Sequence, residues 1–195
     1  MQENIDERFL IKRAANGDPE AFEDLIRAHE GRMYAVTLRM CGNRDDAQDC
    51  MQEAMLRIYR AMDSFRGQSS FGTWVYRITM NTCLDELRRK KVRQSTSLDA
   101  MLDTGWAPTD ENENPELHSL RGEQRRSIEK AISKLPDDMK AAVVLRDVQG
   151  FSYEEIARVL NANIGTIKSR ISRGREKLRE TLMAEPELFG RSDVH

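Results

Sequence analysis

The stretch Ser152–Arg179, SYEEIARVLNANIGTIKSRISRGREKLR, decides the fold. Ser152 followed three residues later by Glu155 forms a capping box: the serine oxygen accepts from a first-turn amide, and the glutamate reaches back to the serine amide. The helix opened there, with EEIARVL as its body, is short, about nine residues. Asn161-Ala162-Asn163 turns the chain. A longer helix follows, with Ile167, Ile171, Leu178 and Leu182 recurring on one side. Short helix, tight turn and longer helix make a helix-turn-helix. Ala157 supplies a small side chain where the two helices cross closely.

The second helix of this pair is charged in a pattern. From Lys168 to Arg179 there are six basic residues (Lys168, Arg170, Arg173, Arg175, Lys177, Arg179) against Glu176 alone. If Ile167, Ile171 and Leu178 pack inward on Ile156 and Leu160, a rotation of about 100° per residue turns Lys168, Ser169, Ser172 and Arg173 outward. Thr166 opens the same N-terminal half. In a DNA major groove these positions reach base edges and phosphates, and Arg175 and Lys177, further along, suit phosphates. A basic helix face that is merely solvated is the plain alternative; the capped short helix in front tells against it.

Upstream, one helix is expected from about Pro115 to Lys134, and Leu135-Pro136-Asp137 restarts another. Met139, Val143, Leu145 and Val148 give the restarted helix its apolar faces as far as Gly150. Residues 96–120 differ in kind. They hold no basic residue and six acidic ones, with Gly105, Pro108 and Pro115 and little periodicity. Such a composition buries too little apolar surface to offset the entropy of ordering. Residues 1–95 carry net +1 and residues 121–195 net +3, so the −6 of the middle brings the chain to −2.

The N-terminal part also reads as helix, without sustained alternation of period two. A short helix covers about 5–15. Asp18 then caps a helix with Pro19 at its first position, carrying Phe22, Leu25, Ile26, Met33 and Val36 until Gly42-Asn43. Ala47, Met51, Ala54, Met55, Ile58 and Met62 stripe the next. After a loop over Phe65–Ser69, a fourth helix carries Phe71, Trp74, Val75, Ile78 and Leu87 into the basic run RRKKVR, 88–93. The fold class is therefore all-α: two small helical domains, 1–95 and 119–185, joined by an acidic flexible linker, 96–118, and followed by a C-terminal tail, 186–195.

Bulk properties narrow the function classes. A chain of 195 residues holds one domain or two small ones, and a net charge of −2 argues against a stand-alone basic DNA-coating protein. The longest apolar run, Ala141–Leu145, has five residues, far short of the roughly 20 of a membrane span. The polar start MQENIDERFL has no signal-peptide pattern, so a cytoplasmic location is expected, with no direct membrane insertion. Cys41, Cys50 and Cys83 lie 9 and 33 residues apart without a CxxC pair, and the three histidines are isolated. Neither a disulfide framework nor a zinc knuckle is expected; the cysteines read as small buried hydrophobes, with no metal and no cofactor.

Phe65, Phe71, Trp74 and Tyr76 cluster ahead of Asn81 and the basic run. Bases unstacked from a duplex stack on rings while cations hold their phosphates. For Phe71 and Trp74, at helical spacing with Ile78, a core role competes with this one. Phe65, in a loop, and Asn81, a polar residue among apolar neighbours, point to contact with a ligand.

QEAMLRIYRAMDSFRGQSSFGTWVYRITMNTCLDELRRKK (52–91) resembles conserved region 2 of bacterial sigma factors of the extracytoplasmic-function type, and LPDDMKAAVVLRDVQGFSYEEIARVLNANIGTIKSRISRGREKLRETL (135–182) resembles their region 4. The blocks stand in the family's order, with no counterpart of domains 1.1 and 3 of primary sigma factors. The resemblance implies a dissociable RNA polymerase subunit that directs promoter-specific initiation in response to stress. It implies docking on the β′ clamp coiled coil of core polymerase through Asp49, Gln52, Glu53 and Arg57, and a second contact with the β flap. It implies melting and reading of the minus-ten promoter element by the block holding Phe65, Trp74, Ile78, Asn81, Arg88 and Arg89, with a flipped base near Phe65, Ile78 and Asn81. The minus-thirty-five element falls to Thr166, Lys168, Ser169, Ser172, Arg173, Arg175 and Lys177. The acidic linker would thread the polymerase cleft as a mimic of nucleic acid, and an anti-sigma factor is an implied partner.

Two departures from the family pattern stand out: Asn163 where proline is frequent, and Asn161 where helix-turn-helix proteins usually have glycine. Asparagine caps helices well and tolerates left-handed geometry. Two other classes remain in view. A regulator binding operators unaided would use residues 135–182 but leave the aromatic–asparagine block idle. A nuclease would need carboxylate pairs such as Asp45/Asp49 or Glu154/Glu155, yet these sit at helix starts, where acids favour the dipole, with no histidine joining them.

Overall fold

The computed structural model describes residues 3–96 and 120–189. All regular structure among them is helical. The first unit comprises α1 (Glu3–Ala15), α2 (Pro19–Cys41), α3 (Arg44–Arg60) and α4 (Phe71–Thr96), with a 3₁₀ turn at Met62–Ser64. The second comprises α5 (Leu120–Ser133), α6 (Asp137–Val143), α7 (Tyr153–Val159), α8 (Ile164–Met183) and α9 (Pro186–Phe189).

The helix boundaries follow local chemistry. Asp18 caps α2, accepting from the amides of Glu20 and Ala21 at 3.1 and 3.2 Å, and Arg13 donates to its other oxygen at 2.7 Å. Gly42, at φ 82°, closes α2 in the left-handed conformation that glycine adopts without a Cβ clash, and Asn43 at once caps α3. This two-residue turn folds α3 back along α2. Met33, Val36 and Met40 of α2, Ile58 of α3 and Val75 and Met80 of α4 are fully buried between the helices.

In the second unit Val143, Val144, Leu145, Ile156, Ile167 and Ile171 form the core. The single helix expected up to Gly150 instead widens after Val143 into a π turn, Val144–Val148. The wider turn ends where Gly150, at φ 76°, reverses the chain, the Phe151 amide donates to the Leu145 carbonyl at 3.0 Å, and Arg146 donates to the Phe151 carbonyl at 2.7 Å. Helices α6 and α8 touch closely at Gly174, where a Cβ would stand 2.7 Å from Cγ2 of Val143.

The two units pack together. Tyr76 of α4 meets Phe151 edge-on with ring centroids 4.9 Å apart, Lys91 donates to Asp137 at 2.6 Å, and Arg39 lies 3.6 Å from Glu129. The Tyr76 hydroxyl is buried there without a hydrogen-bond partner. Thr96 ends α4; the remainder of the segment read as an acidic linker lies outside the described residues, as do 115–119, where the sequence places the start of the next helix. Of the C-terminal tail, residues 186–189 are helical, and the Gln124 side chain holds them by donating to the Leu188 carbonyl at 2.7 Å.

Candidate nucleic-acid interface

The helix-turn-helix forms as its local signals direct. The Glu155 amide donates to Ser152 Oγ at 3.2 Å, and the Ser152 amide donates to Glu155 Oε2 at 2.8 Å. Asn161 takes φ 47°, the left-handed value expected of it. Asn163 caps α8, its oxygen accepting from the Thr166 amide at 2.7 Å and the Thr166 hydroxyl at 2.9 Å. Ile167 and Ile171 are buried, and Lys168, Ser169, Ser172, Arg173, Arg175 and Lys177 all lie on the exposed side.

These cations differ in a way that spacing does not reveal. Arg175 grips Asp147 with two guanidinium nitrogens, Nε at 3.0 Å, and the carboxylate holds the guanidinium pKa above its usual value. Arg170 donates to Asp138 at 2.7 Å. Lys168, Arg173 and Lys177 have no carboxylate within ion-pair distance among the described residues. A cleft of about 630 Å³ runs beside Arg173 between the starts of α6 and α8, walled also by Asp138, Asn163, Thr166, Ser169 and Arg170. An anionic strand entering it would meet an unpaired Arg173 and an Arg170 already half-neutralised.

In the first unit, Asn81 is exposed on α4, and Ile78 is half-buried one turn before it. Phe65 is half-buried, its ring centroid 5.6 Å from that of Phe71 and 5.2 Å from that of Trp74. Trp74, read as a DNA-contacting residue with a core role in competition, is 6% exposed and packs beneath Phe65. Arg88 and Arg89 are exposed further along α4, each 3.4 Å from a carboxylate, of Asp85 and Glu86 respectively.

On α3, Asp49, Gln52, Glu53 and Arg57 share one face, as positions three and four apart on a helix must. Arg57 is fixed by Glu53 at 2.7 Å and by Asp85 of α4 at 3.1 Å, and these hydrogen bonds, Glu53's foremost, hold its pKa above the usual value. Leu56 joins this face and is 49% exposed. The sequence reading passes over it; the signal is a leucine lying off the apolar stripe of its helix. Of the carboxylates that a nuclease would pair, Glu155 closes the capping box, and Asp45 and Asp49 are exposed on α3.

Comparison with known proteins agrees with this arrangement. The model of sigma-70 region 2 matches residues 25–93, and that of sigma-70 region 4 matches residues 125–178. The chain is 37% identical over 177 residues to the RNA polymerase sigma-H factor of Pseudomonas aeruginosa, covering 89% of this chain and 92% of that protein. It is 37% identical over 183 residues to the ECF RNA polymerase sigma-E factor of Escherichia coli K12, covering 91% and 95%. Among solved structures, the sigma factor RpoE in complex with the anti-sigma factor NepR from Bartonella quintana superposes with a TM-score of 0.69 at 25% identity, over 83% of this chain and 96% of that one. CnrH in complex with the cytosolic domain of CnrY shares the fold, with a TM-score of 0.62 at 24% identity, over 92% and 98%. The chain belongs to the extracytoplasmic-function sigma factors of the sigma-70 family, non-enzymatic transcription initiation factors built from regions 2 and 4.

Proposed function

We propose that the three exposed faces divide the work of initiation. The α3 face, with Asp49, Gln52, Glu53, Leu56 and Arg57, holds the β′ clamp coiled coil of core polymerase. Asn81, Ile78 and Phe65, backed by Trp74, take an unstacked base of the minus-ten element, with Arg88 and Arg89 on the flanking phosphates. The start of α8 reads the minus-thirty-five element, and the second unit also meets the β flap. The observation that carries this assignment is the helix-turn-helix with Lys168, Ser169, Ser172 and Arg173 exposed on its second helix and, among the described residues, no carboxylate within ion-pair distance of Arg173.

The compact arrangement cannot serve both promoter elements at once. They lie about 25 base pairs apart, or about 85 Å along a duplex at 3.4 Å per pair. A folded chain of this length has a radius of gyration of about 16 Å and a diameter near 40 Å. The units must therefore part, uncovering Tyr76 and Phe151; the orphaned Tyr76 hydroxyl gains water when they do. Packed units suit the free chain or a complex with an anti-sigma factor, a partner named in one similar structure. Work with core polymerase on promoter DNA is cytoplasmic work; none of the helices among the described residues is long and apolar enough to cross a membrane.

Gel shifts on promoter duplex, with and without core polymerase, test the division. With a net charge of −2 and Arg175 and Arg170 paired internally, the free chain should bind weakly and the holoenzyme tightly. Tight sequence-specific binding by the free chain would instead favour an operator-binding regulator.

A further inference from the structure

The three cysteines, scattered in the sequence, meet in the first unit. Cys41 ends α2, Cys50 lies in the second turn of α3 and Cys83 in the middle of α4, and their Sγ atoms all lie within 4.8 Å of one another. Cys50 and Cys83 stand 3.5 Å apart, sulfur to sulfur. Both are buried, and Cys41 is half-buried. A metal bound to thiolates at about 2.3 Å places its sulfurs about 3.8 Å apart in a tetrahedral site and about 4.0 Å apart in a trigonal one. The observed cluster surrounds such a position with little adjustment.

We propose that Cys41, Cys50 and Cys83 form a binding site for one soft, thiophilic metal ion, tying α2, α3 and α4 together beneath the polymerase- and DNA-facing surfaces. Three sulfurs with no fourth cysteine, histidine or carboxylate in the group, among the described residues, make a thiolate-only set. Such a set selects soft or borderline ions over magnesium or calcium. A disulfide would use two of the sulfurs and leave the third unexplained.

Position and charge both favour the site. The Gly42–Asn43 turn fixes Cys41 against α3, so the sulfurs are held by rigid helices before any ion arrives. Hydrogen bonds from Cys41 and Cys83, with the nearby Arg57 charge adding, favour the thiolate form of Cys50, while the Cys41 and Cys83 thiols are pushed up. Lys140 of α6, itself buried, lies close enough to Cys41 to interact electrostatically. Asp46, beside Cys41 and Cys50, is occupied by hydrogen bonds from Lys90 and Asn43. An open cleft of about 280 Å³ between α3 and α4 has Cys50 in its wall, with the carboxylates of Asp46, Asp49, Glu53 and Glu86 around it. Those carboxylates attract cations to the cleft that Cys50 lines. Binding of a divalent ion forms three metal–sulfur bonds, and each thiol that becomes a ligand releases its proton to solvent; no electron is transferred. An occupied site would stiffen α3 behind Gln52 and α4 behind Asn81.

The reduced full-length chain, titrated with Cd²⁺ under anaerobic conditions and then competed with Zn²⁺, tests this. Expected are a sulfur-to-metal charge-transfer band saturating at one ion per chain, proton release on binding, and metal-dependent protection of the half-buried Cys41 from alkylation in the folded protein. Cys41→Ser, at the half-buried position, should remove about a third of the band and weaken binding by at least about tenfold, with circular dichroism confirming the fold. Alkylation protection in the native sequence decides the matter where a variant fails to fold. The proposal is overturned by an absent band, by binding that Cys41→Ser leaves unchanged, or by a Cys50–Cys83 disulfide that a mild oxidant forms equally fast with and without Cd²⁺.

Discussion

Replacing Arg173 with alanine separates base reading from charge attraction at the start of α8. The side chain is exposed and has no acidic partner among the described residues, so its removal breaks no described internal ion pair. Thermal and denaturant stability should stay within about 0.5 kcal/mol of the parent, as for surface changes away from caps and ion pairs. If the guanidinium donates two hydrogen bonds to a guanine edge, its loss costs about 1–3 kcal/mol at one base pair, which is about 5- to 150-fold in preference there. Lys177→Ala is the matched control. Removing a cation that grips a phosphate should weaken all promoters alike and lower the salt slope by about one. Arg175 is a third case, because Asp147 already holds it; Asp147→Asn should free it for a phosphate and strengthen binding to every promoter. The assay is transcription by holoenzyme from a library randomised over the minus-thirty-five element. Unchanged sequence preference with Arg173→Ala would refute the base-reading role while leaving the family assignment intact.

Further outcomes follow from the same geometry. Asn81→Ala, at an exposed position on α4, should impair promoter melting seen by permanganate footprinting more than core binding, whereas Glu53→Lys should weaken core association first; equal loss in both assays for Asn81→Ala would make Asn81 structural. Gly174→Ala should destabilise the second unit by about 1–3 kcal/mol, because the new methyl meets a stiff valine at 2.7 Å; an unfolding midpoint at or above that of the parent would contradict the close α6–α8 contact. Burial beside Phe71 and Tyr76 holds the His29 imidazole below its usual value of 6.5. The unfolded chain then takes up a proton first, so stability present above about pH 6.5 is lost as pH falls below it. His29→Gln should flatten that slope, and an unaltered pH profile would count against the burial account.

What the sequence made legible is what local chemistry decides. The caps at Asp18, Ser152 and Asn163, the left-handed Asn161 and the inward stripe of Ile167 and Ile171 each depend on neighbours within a few residues, and all are found. What escaped needs distant partners. Asp138 of α6 and Asp147 of the π turn are ordinary acids until α8 packs against these segments and brings Arg170 and Arg175 to them. Trp74 has the same helical spacing whether a ring covers it or a base does; only the placement of Phe65 decides. The π turn after Val143 answers to the reversal at Gly150 and the hydrogen bonds of Phe151, which no periodicity records. The cysteines, 9 and 33 residues apart, become neighbours only because α2, α3 and α4 pack side by side. Leu56 is visible as an apolar residue off its stripe but means little until the face around it is known to be uncovered.

Run-off transcription from linear promoter templates, with purified core RNA polymerase and this chain as the added factor, addresses the central assignment most directly. A discrete run-off product that requires both the chain and promoter sequence, and that disappears with Glu53→Lys, is the predicted result. Core polymerase that initiates no differently with the chain present, on templates the chain itself binds tightly without polymerase, would contradict it.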